Sequence, residues 1–257
     1  MIDLEQSIGE AARLIASSKY VIALVGAGIS VESGVPTFRG PDGLWTKHGE
    51  PDLRDFERFQ VDPKAWWEKR ISGAGGLAEL VVALEAAQPN AGHIALREME
   101  EGGWLKHIIT QNIDNLHQRA GSTTNITEIH GNRTKLRCLS CGRRWPLDEF
   151  PIDELPPHCP ECSGIVKGDT VMFGEPIPAD ALDMCVDQTW KCDCMLLIGT
   201  SAVVYPAAQF PLDVRRLGGK LIEVNPHETP LSALAEVVVR GPAGETLPRI
   251  VRHLRAA

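Results

Sequence analysis

The sequence predicts an α/β fold: a parallel sheet with helices on both faces, carrying a small module of metal-binding ribbon and short helices. Three observations support this. Residues 20–25 form an uncharged, largely β-branched and aliphatic run that stops at Gly26, as a strand buried on both faces of a parallel sheet does. Further strands are expected at 107–110, 126–129, 195–198 and 220–224. They deliver Gln111 to Asp114, His130, Gly199 and Asn225 at their carboxyl ends, where open α/β sheets bind ligands. Finally, four cysteines fall in two Cys-x-x-Cys pairs. The sheet is therefore expected to be Rossmann-like, with four strand ends converging on the turn at Gly26.

The elements follow in order. Leu4, Ile8, Ala11, Ala12 and Ile15 are spaced as one face of an amphipathic helix over 3–18. After the first strand, Gly26 and Gly28 allow a tight turn in which backbone can approach a diphosphate. This is not the dehydrogenase fingerprint, because position 31 is Val and the next glycine is Gly34. From 40 to 76, prolines 41, 51 and 63, clustered aromatics and a Ser72–Gly76 tail rich in glycine predict an irregular insert of short helices with a flexible end. Trp66 and Trp67 read as packing residues. Residues 77–87 are helical, and Asn90 is placed to cap a helix that Gly102 and Gly103 end. His93, in that helix's first turn, and His117 read as structural. Asp114, just past a strand and before a helix start at 115–118, has the position of an N-cap. Gly241-Pro242-Ala243 opens the last helix. The expected division is a sheet domain of 1–40, 77–132 and 169–257, and a small domain of 41–76 with 133–168.

Composition narrows the class. The 257 residues are 43% hydrophobic and 23% charged with net charge −8, which fits a soluble globular protein and argues against generic nucleic-acid binding. The acidic N-terminus is neither signal nor transit peptide. The longest uncharged run, 194–212, is broken by Gly199, Pro206 and Pro211, so no membrane span is expected. Seven cysteines, four of them in Cys-x-x-Cys pairs, favour a reducing compartment and a metal site over disulfides. The expected address is cytoplasmic.

Cys138 and Cys141 are separated from Cys159 and Cys162 by seventeen residues, the spacing of a four-cysteine zinc ribbon. Four thiolates close a tetrahedral shell, so Zn2+ held there is structural. A nucleotide deaminase is the competing zinc reading, and His48-Gly49-Glu50 supplies its His-x-Glu. But His158, not proline, precedes Cys159, and four thiolates leave no place for a catalytic water. Arg133, Lys135, Arg137, Arg143 and Arg144 make the first half of the module basic; the acids that follow read it as a solvated mixed-charge surface. Cys185, Cys192 and Cys194 read as spare thiols.

The glycine turn and its sequel sharpen the reading. Gly26-Ala27-Gly28-Ile29-Ser30, Ser33-Gly34-Val35-Pro36-Thr37-Phe38-Arg39 and Gly43-Leu44-Trp45 resemble the signature of the sirtuins, the NAD-dependent protein deacylases. Matching segments follow in order: Thr110 to His117, His130-Gly131, the cysteine pairs, Val171 to Glu175, Gly199-Thr200-Ser201 and Val224-Asn225-Pro226. The resemblance spans roughly residues 18–250 and implies the activity: acyl transfer from acyl-lysine to ADP-ribose, releasing nicotinamide and free lysine.

The same resemblance assigns roles. NAD is held by Gly26, Ala27, Gly28, Ile29, Ser30, Thr37, Phe38, Arg39, Trp45, Gln111, Asn112, Ile113, Asp114, His130, Gly199, Thr200, Ser201, Asn225, Pro226 and Ala243. Arg39 resembles the family's phosphate arginine, Phe38 the ring against the reacting ribose, Asn225 the adenosine-ribose contact and Ala243 the residue against adenine. Asn112 and Asp114 position the nicotinamide end. His130 is the general base, a role suited to imidazole because its ordinary pKa lies near neutrality. Acyl-lysine proteins or peptides bind as an added strand between Val171, Phe173, Gly174 and Glu175 on one side and Val203 and Val204 on the other, both offering strand edges. Two other readings share these residues: mono-ADP-ribosyl transfer to protein, and an NAD-sensing binding protein, which would not need the base.

Sirtuins preferring acidic acyl groups carry Tyr-x-x-Arg in the insert and a small Ala after the Phe-Arg segment. Aligned through Asp62-Pro63, those positions fall on Arg70, Gly73 and Pro41. Acetyl and longer apolar acyl groups are therefore expected to be preferred over succinyl.

Overall fold

The structure, a computed structural model, describes residues 3–39, 43–73, 78–122 and 125–256. Pro41, Ala74 to Gly76 and Leu77 lie outside the described residues. Strands β1 (Val21–Val25), β2 (His107–Thr110), β3 (Ile126–Glu128), β7 (Cys194–Ile198), β8 (Lys220–Val224) and β9 (Val237–Val239) form one sheet in the order β3-β2-β1-β7-β8-β9. Every pairing in it is parallel. Numbered by themselves these strands run 3-2-1-4-5-6, the doubly wound Rossmann order, whose ligand crevice opens where the order reverses, between β1 and β7.

All five residues of β1 and of β7 are buried, because helices cover both faces. Val21, Ala23 and Val25 point to one side, where α1 (Leu4–Ser17), α6 (Ala91–Glu101) and α10 (Ala243–Ala256) supply Ile8, Ile15, Leu96, Met99, Leu247 and Ile250. Ile22 and Leu24 point to the other, against α8 (Ala179–Lys191) and α9 (Gln209–Arg216) through Cys185, Phe210 and Val214. That alternation is why the strands read as continuous apolar runs.

Asn90 caps α6 as expected: its Oδ1 accepts from Gly92 N at 2.8 Å, and His93 Nδ1 accepts from Asn90 N at 3.4 Å. Its Nδ2 also donates to Ile29 O and Ser33 Oγ, at 2.7 and 2.9 Å, tying the cap to the glycine turn. The helix after that turn is a seven-residue 3₁₀ segment, Ala27–Ser33, stopped by Gly34 at φ 84°. Fewer peptide dipoles align there than a full α-helix would offer.

The insert holds α2 (Leu44–His48), α3 (Asp55–Val61) and α4 (Pro63–Ile71), followed by α5 (Ala78–Ala86); α7 is Leu116–Ala120. A second sheet, in order β5-β4-β6, consists of antiparallel β4 (Lys135–Cys138), β5 (Arg144–Pro146) and β6 (Val166–Gly168). Trp67, 1% exposed, packs with Leu136, Val166, Cys138 and Cys159, and its Nε1 donates to Val166 O at 3.0 Å. Trp66 stands edge-on to Trp67 at 5.4 Å, so both tryptophans are packing residues. No described helix is long and apolar enough to cross a membrane.

Candidate active site

At the reversal of strand order the turns after β1 and β7 touch. Gly26 N donates to Ile198 O at 3.0 Å and Gly28 N to Gly199 O at 2.8 Å. A Cβ on Gly28 would lie 2.6 Å from Gly199 Cα, so two backbones meet here with no room for a side chain. Around this contact the strand ends are cross-braced. Asn112 Nδ2 donates to Gly26 O and Ser30 Oγ, each at 3.2 Å, and Ser30 Oγ donates to Asp114 Oδ2 at 2.7 Å. Gln111 Nε2 donates to Thr200 Oγ1 at 2.9 Å, and Asn225 Nδ2 to Thr200 O at 3.2 Å. Ser30, Asn112, Asp114, Thr200 and Asn225 are all buried.

Asp114 fills two positions at once. Its Oδ1 accepts from Leu116 N at 3.0 Å, the first amide of α7, although the N-cap position falls one residue later, on Asn115, while Oδ2 faces Ser30. His93 and His117 pack behind it, ring centroids 4.9 Å apart. Burial pushes His93 down to about 4, against the pull of Asp114, and His117 down to about 3, with His93 adding to the effect. Both rings are therefore neutral at cellular pH, in keeping with their structural reading.

His130 follows β3 on a turn closed by Gly131 N donating to Glu128 O at 2.9 Å. Its Nδ1 lies 3.0 Å from Gln111 O. A carbonyl can only accept, so Nδ1 carries the proton and the neutral ring keeps its lone pair on Nε2. Burial lowers the His130 pKa, partly offset by that hydrogen bond. The ring is thus held in the one tautomer that presents a base.

The segment after the turn is tied to the start of α2, with Leu44 N donating to Thr37 O and Trp45 N to Phe38 O, both at 2.9 Å. Trp45 stands between Phe38 at 5.0 Å and Phe173 at 5.3 Å. The Arg39 guanidinium lies 4.4 Å from the Trp45 ring centre and 3.3 Å from Glu50. Ile113 O accepts from Arg133 N at 3.1 Å. Ala243, 4% exposed, starts α10, and the next amide, Gly244 N, donates to Glu32 at 2.7 Å.

The two segments expected to flank a peptide depart from expectation in shape: neither is a strand. Val171 and Met172 have no regular structure, and Phe173 and Gly174, the latter at φ 79°, make a turn. Ser201 and Val203 are exposed, Ala202 is at φ 48°, and Val204 begins a turn, its carbonyl accepting from Ala208 N at 2.9 Å. The Glu175 side chain enters a buried ion cluster. It is 9% exposed and paired with Arg137 and Lys167. The basic stretch is likewise not all solvated surface: Arg137 is 6% exposed and turned inward. β4 is buried on both sides there, which local charge composition does not reveal. Arg133, Lys135, Arg143 and Arg144 do pair with acids. Arg70 lies over Trp66 and Trp67, at 5.6 and 6.0 Å, and Gly73 is exposed at φ 69°.

In the small module the sulfurs of Cys138, Cys141, Cys159 and Cys162 all lie within 4.8 Å of one another. Cys138 and Cys162 are 3.5 Å apart, and Cys141 and Cys159 3.8 Å. A tetrahedron with Zn–S near 2.3 Å has edges of about 3.8 Å, so the four thiols fit one structural zinc. Among the described residues no other group of three or more ligands qualifies. Cys185, Cys192 and Cys194 are buried, which pushes each thiol up to about 12.

Fold and site together define a dinucleotide-binding α/β protein with a structural zinc module. The model of the Sir2 family matches residues 26–206, and the chain belongs to that family. It is similar to NAD-dependent protein deacylase 1 of Archaeoglobus fulgidus, with 42% identity over 245 residues, covering 95% of this chain and 97% of the relative. Among solved structures it resembles a mutant Sir2 homologue complexed with 2′-O-acetyl ADP-ribose, at TM-score 0.78 and 41% identity, covering 96% of each chain. It also resembles a Sir2–p53 peptide–NAD+ complex, at TM-score 0.76 and 33% identity, covering 96% of this chain and 98% of that one.

Proposed function

We propose that this chain is an NAD-dependent protein-lysine deacylase, moving the acyl group of acyl-lysine to ADP-ribose with release of nicotinamide and free lysine. One observation carries the reading: His130 presents an unprotonated Nε2 at the strand ends where Asn112, Asp114 and Ser30 form a buried polar cluster. The relatives add support, one bearing the deacylase name and others holding acetyl ADP-ribose or peptide with NAD+.

In this reading NAD is a co-substrate and supplies the ribose that receives the acyl group. The glycine turn and Arg39 hold its diphosphate, Thr200, Ser201, Asn225, Pro226 and Ala243 its adenosine half, and Asn112 and Asp114 its carboxamide. Asp114 takes that contact while its Oδ1 still accepts from Leu116 N, so Ser30 is the partner that yields or shares. Phe38 and Trp45 line the reacting ribose and exclude water. His130 Nε2 removes a proton from a ribose hydroxyl, and the Gln111 carbonyl supports the charge that appears on the ring. Peptide lies between 171–175 and 203–204, binding as an added strand that the cleft's irregular loops become regular to accept. The division into a sheet domain (1–40, 77–132, 169–257) and a small domain (41–76, 133–168) belongs to the same reading, supported by the core that Trp67 shares with β4 and β6. A reducing, cytoplasmic address suits the four-thiolate site.

The test is NAD dependence. Purified protein should deacetylate an acetyl-lysine peptide only when NAD is added, releasing nicotinamide; deacetylation without NAD would overturn the reading.

A further inference from the structure

Between the zinc sheet and the site lies a buried charge cluster with no direct part in the reaction described. Lys167, on β6, is fully buried; its Nζ donates to Gly168 O at 2.7 Å, Thr170 O at 2.8 Å and Glu175 Oε2 at 3.0 Å. Arg137, on the neighbouring β4, sends Nη2 to Glu175 Oε1 and Nε to Asp169 Oδ1 at 3.1 Å. Arg144 Nε reaches the same Asp169 oxygen at 3.0 Å. A buried ion cluster is weak ground for stability, because well-packed apolar residues do as well or better. What this one touches gives it another role.

Asp169 Oδ2 accepts from Asn132 N at 3.1 Å, and the Asp169 carbonyl presses on Gly131, where a Cβ would come within 2.1 Å. Two residues on, Val171 N donates to His130 O at 2.9 Å. The turn bearing His130 is therefore gripped by the chain at 169–171. Glu175 Oε2 accepts from Met172 N at 2.8 Å, and Glu175 N donates to Met172 O at 3.0 Å, which shapes the turn at Phe173 and Gly174. Phe173 O in turn accepts from Phe56 N at 3.1 Å.

We infer that Asp169 and Glu175 are positioning residues for deacylation: Asp169 sets the His130 turn, Glu175 shapes the peptide-facing segment, and Arg137 and Lys167 hold both carboxylates in register. The inference rests on the reading of His130 as base and of 171–175 as a peptide contact. It predicts a split that general loss of structure would not give.

The experiment is steady-state kinetics with an acetyl-lysine peptide at saturating NAD, with zinc content, melting temperature and calorimetric ADP-ribose affinity measured alongside. Asp169→Asn should lower kcat about 10- to 100-fold with peptide KM held, since a small misplacement of a catalytic group costs on the order of 10²-fold. Glu175→Gln should raise peptide KM about tenfold, the loss of a charge-assisted hydrogen bond, with a smaller effect on kcat. Lys167→Met should follow Glu175→Gln, and Lys167→Arg, which keeps the cation, should recover part of the KM. ADP-ribose affinity and zinc content should stay at parent values throughout. Should Asp169→Asn not fold, Arg144→Gln loosens the same carboxylate from the module's partly exposed side and should give the kcat loss at smaller size. Parent-like kinetics in these variants, or a parallel fall of kcat, peptide affinity, ADP-ribose affinity and melting temperature, would overturn the inference. His130→Ala separates the two claims. If it is inactive while Asp169→Asn and Glu175→Gln behave as parent, only the positioning role fails; if it is active, the reading beneath fails.

Discussion

Gly28→Ala tests how closely the two turns at the strand-order reversal are packed. The new Cβ would sit 2.6 Å from Gly199 Cα, 2.7 Å from Gly199 O and 2.9 Å from Gly199 C. All three are backbone atoms, so no side-chain rotation relieves the overlap, and the ends of β1 and β7 must part. Overpacking usually costs 1–3 kcal/mol, and a backbone obstacle puts this case near the top of that range, at about 3 kcal/mol. The Gly28 N to Gly199 O bond is also at risk, worth about 1 kcal/mol. At roughly 2–4 °C per kcal/mol for a chain of this size, the melting temperature should fall by about 6–12 °C or more. Gly34→Ala is the control: nothing lies within 4 Å of its Cβ, and only its φ of 84° is unfavourable, at about 1 kcal/mol. Calorimetric melting and ADP-ribose titration of both variants decide it. Gly28→Ala should lose ADP-ribose binding and Gly34→Ala keep it. A Gly28→Ala protein that melts no lower than Gly34→Ala and binds ADP-ribose as the parent does would refute the packing argument.

His130→Ala should lower turnover by ~10²–10⁴-fold with ADP-ribose affinity kept; turnover within a few-fold of the parent would contradict its role as base. Because burial holds the His130 pKa below 6.5, the base form persists into mild acid, and the acid limb of kcat/KM should have its midpoint under 6.5. Stability should show a separate acid dependence. His93, His107 and His117 are held down to about 4, 4 and 3, so between these values and 6.5 the unfolded chain binds protons that the folded one does not. Stability is then full above pH 6.5 and falls as pH drops toward 4, by about 3 kcal/mol for His107; urea midpoints that do not move across this range would contradict it. Chelation, or Cys159→Ser, should release zinc, loosen the small module and lower activity indirectly; active protein without zinc would end that idea. Acetyl-lysine should exceed succinyl-lysine in kcat/KM by roughly a few hundred- to a few thousand-fold, since a buried carboxylate without its partners costs ~3–5 kcal/mol. A faster succinyl reaction would make Arg70 the first residue to mutate.

The centre of the sheet was legible because β1 and β7 are uncharged and stop at glycine, a texture that only burial on both faces explains. Asn90 was legible as a cap because nothing but local backbone geometry is involved, and the zinc site because spacing alone brings four thiols together. The residues that escaped are those whose partners are far along the chain. Lys167 and Arg137 look like surface cations in their own segments and are buried because Glu175 and Asp169 meet them in space. Glu175 was assigned to the peptide segment by its place in a motif, and that motif does not reveal that its carboxylate is buried against Arg137 and Lys167. The 3₁₀ form of Ala27–Ser33 was equally hidden, since its sequence satisfies an α-helix as well. The segments at 171–175 and 201–204 read as strand edges because their side chains suit strands, but among the described residues neither pairs into a sheet.

The destination of the acyl group defines the reaction. Parent protein incubated with NAD and one acetyl-lysine peptide, with every product identified by mass spectrometry, measures this directly. The prediction is one nicotinamide, one unmodified peptide and one acetyl-ADP-ribose for each turnover. A peptide heavier by ADP-ribose, or free acetate formed with NAD left intact, would contradict it.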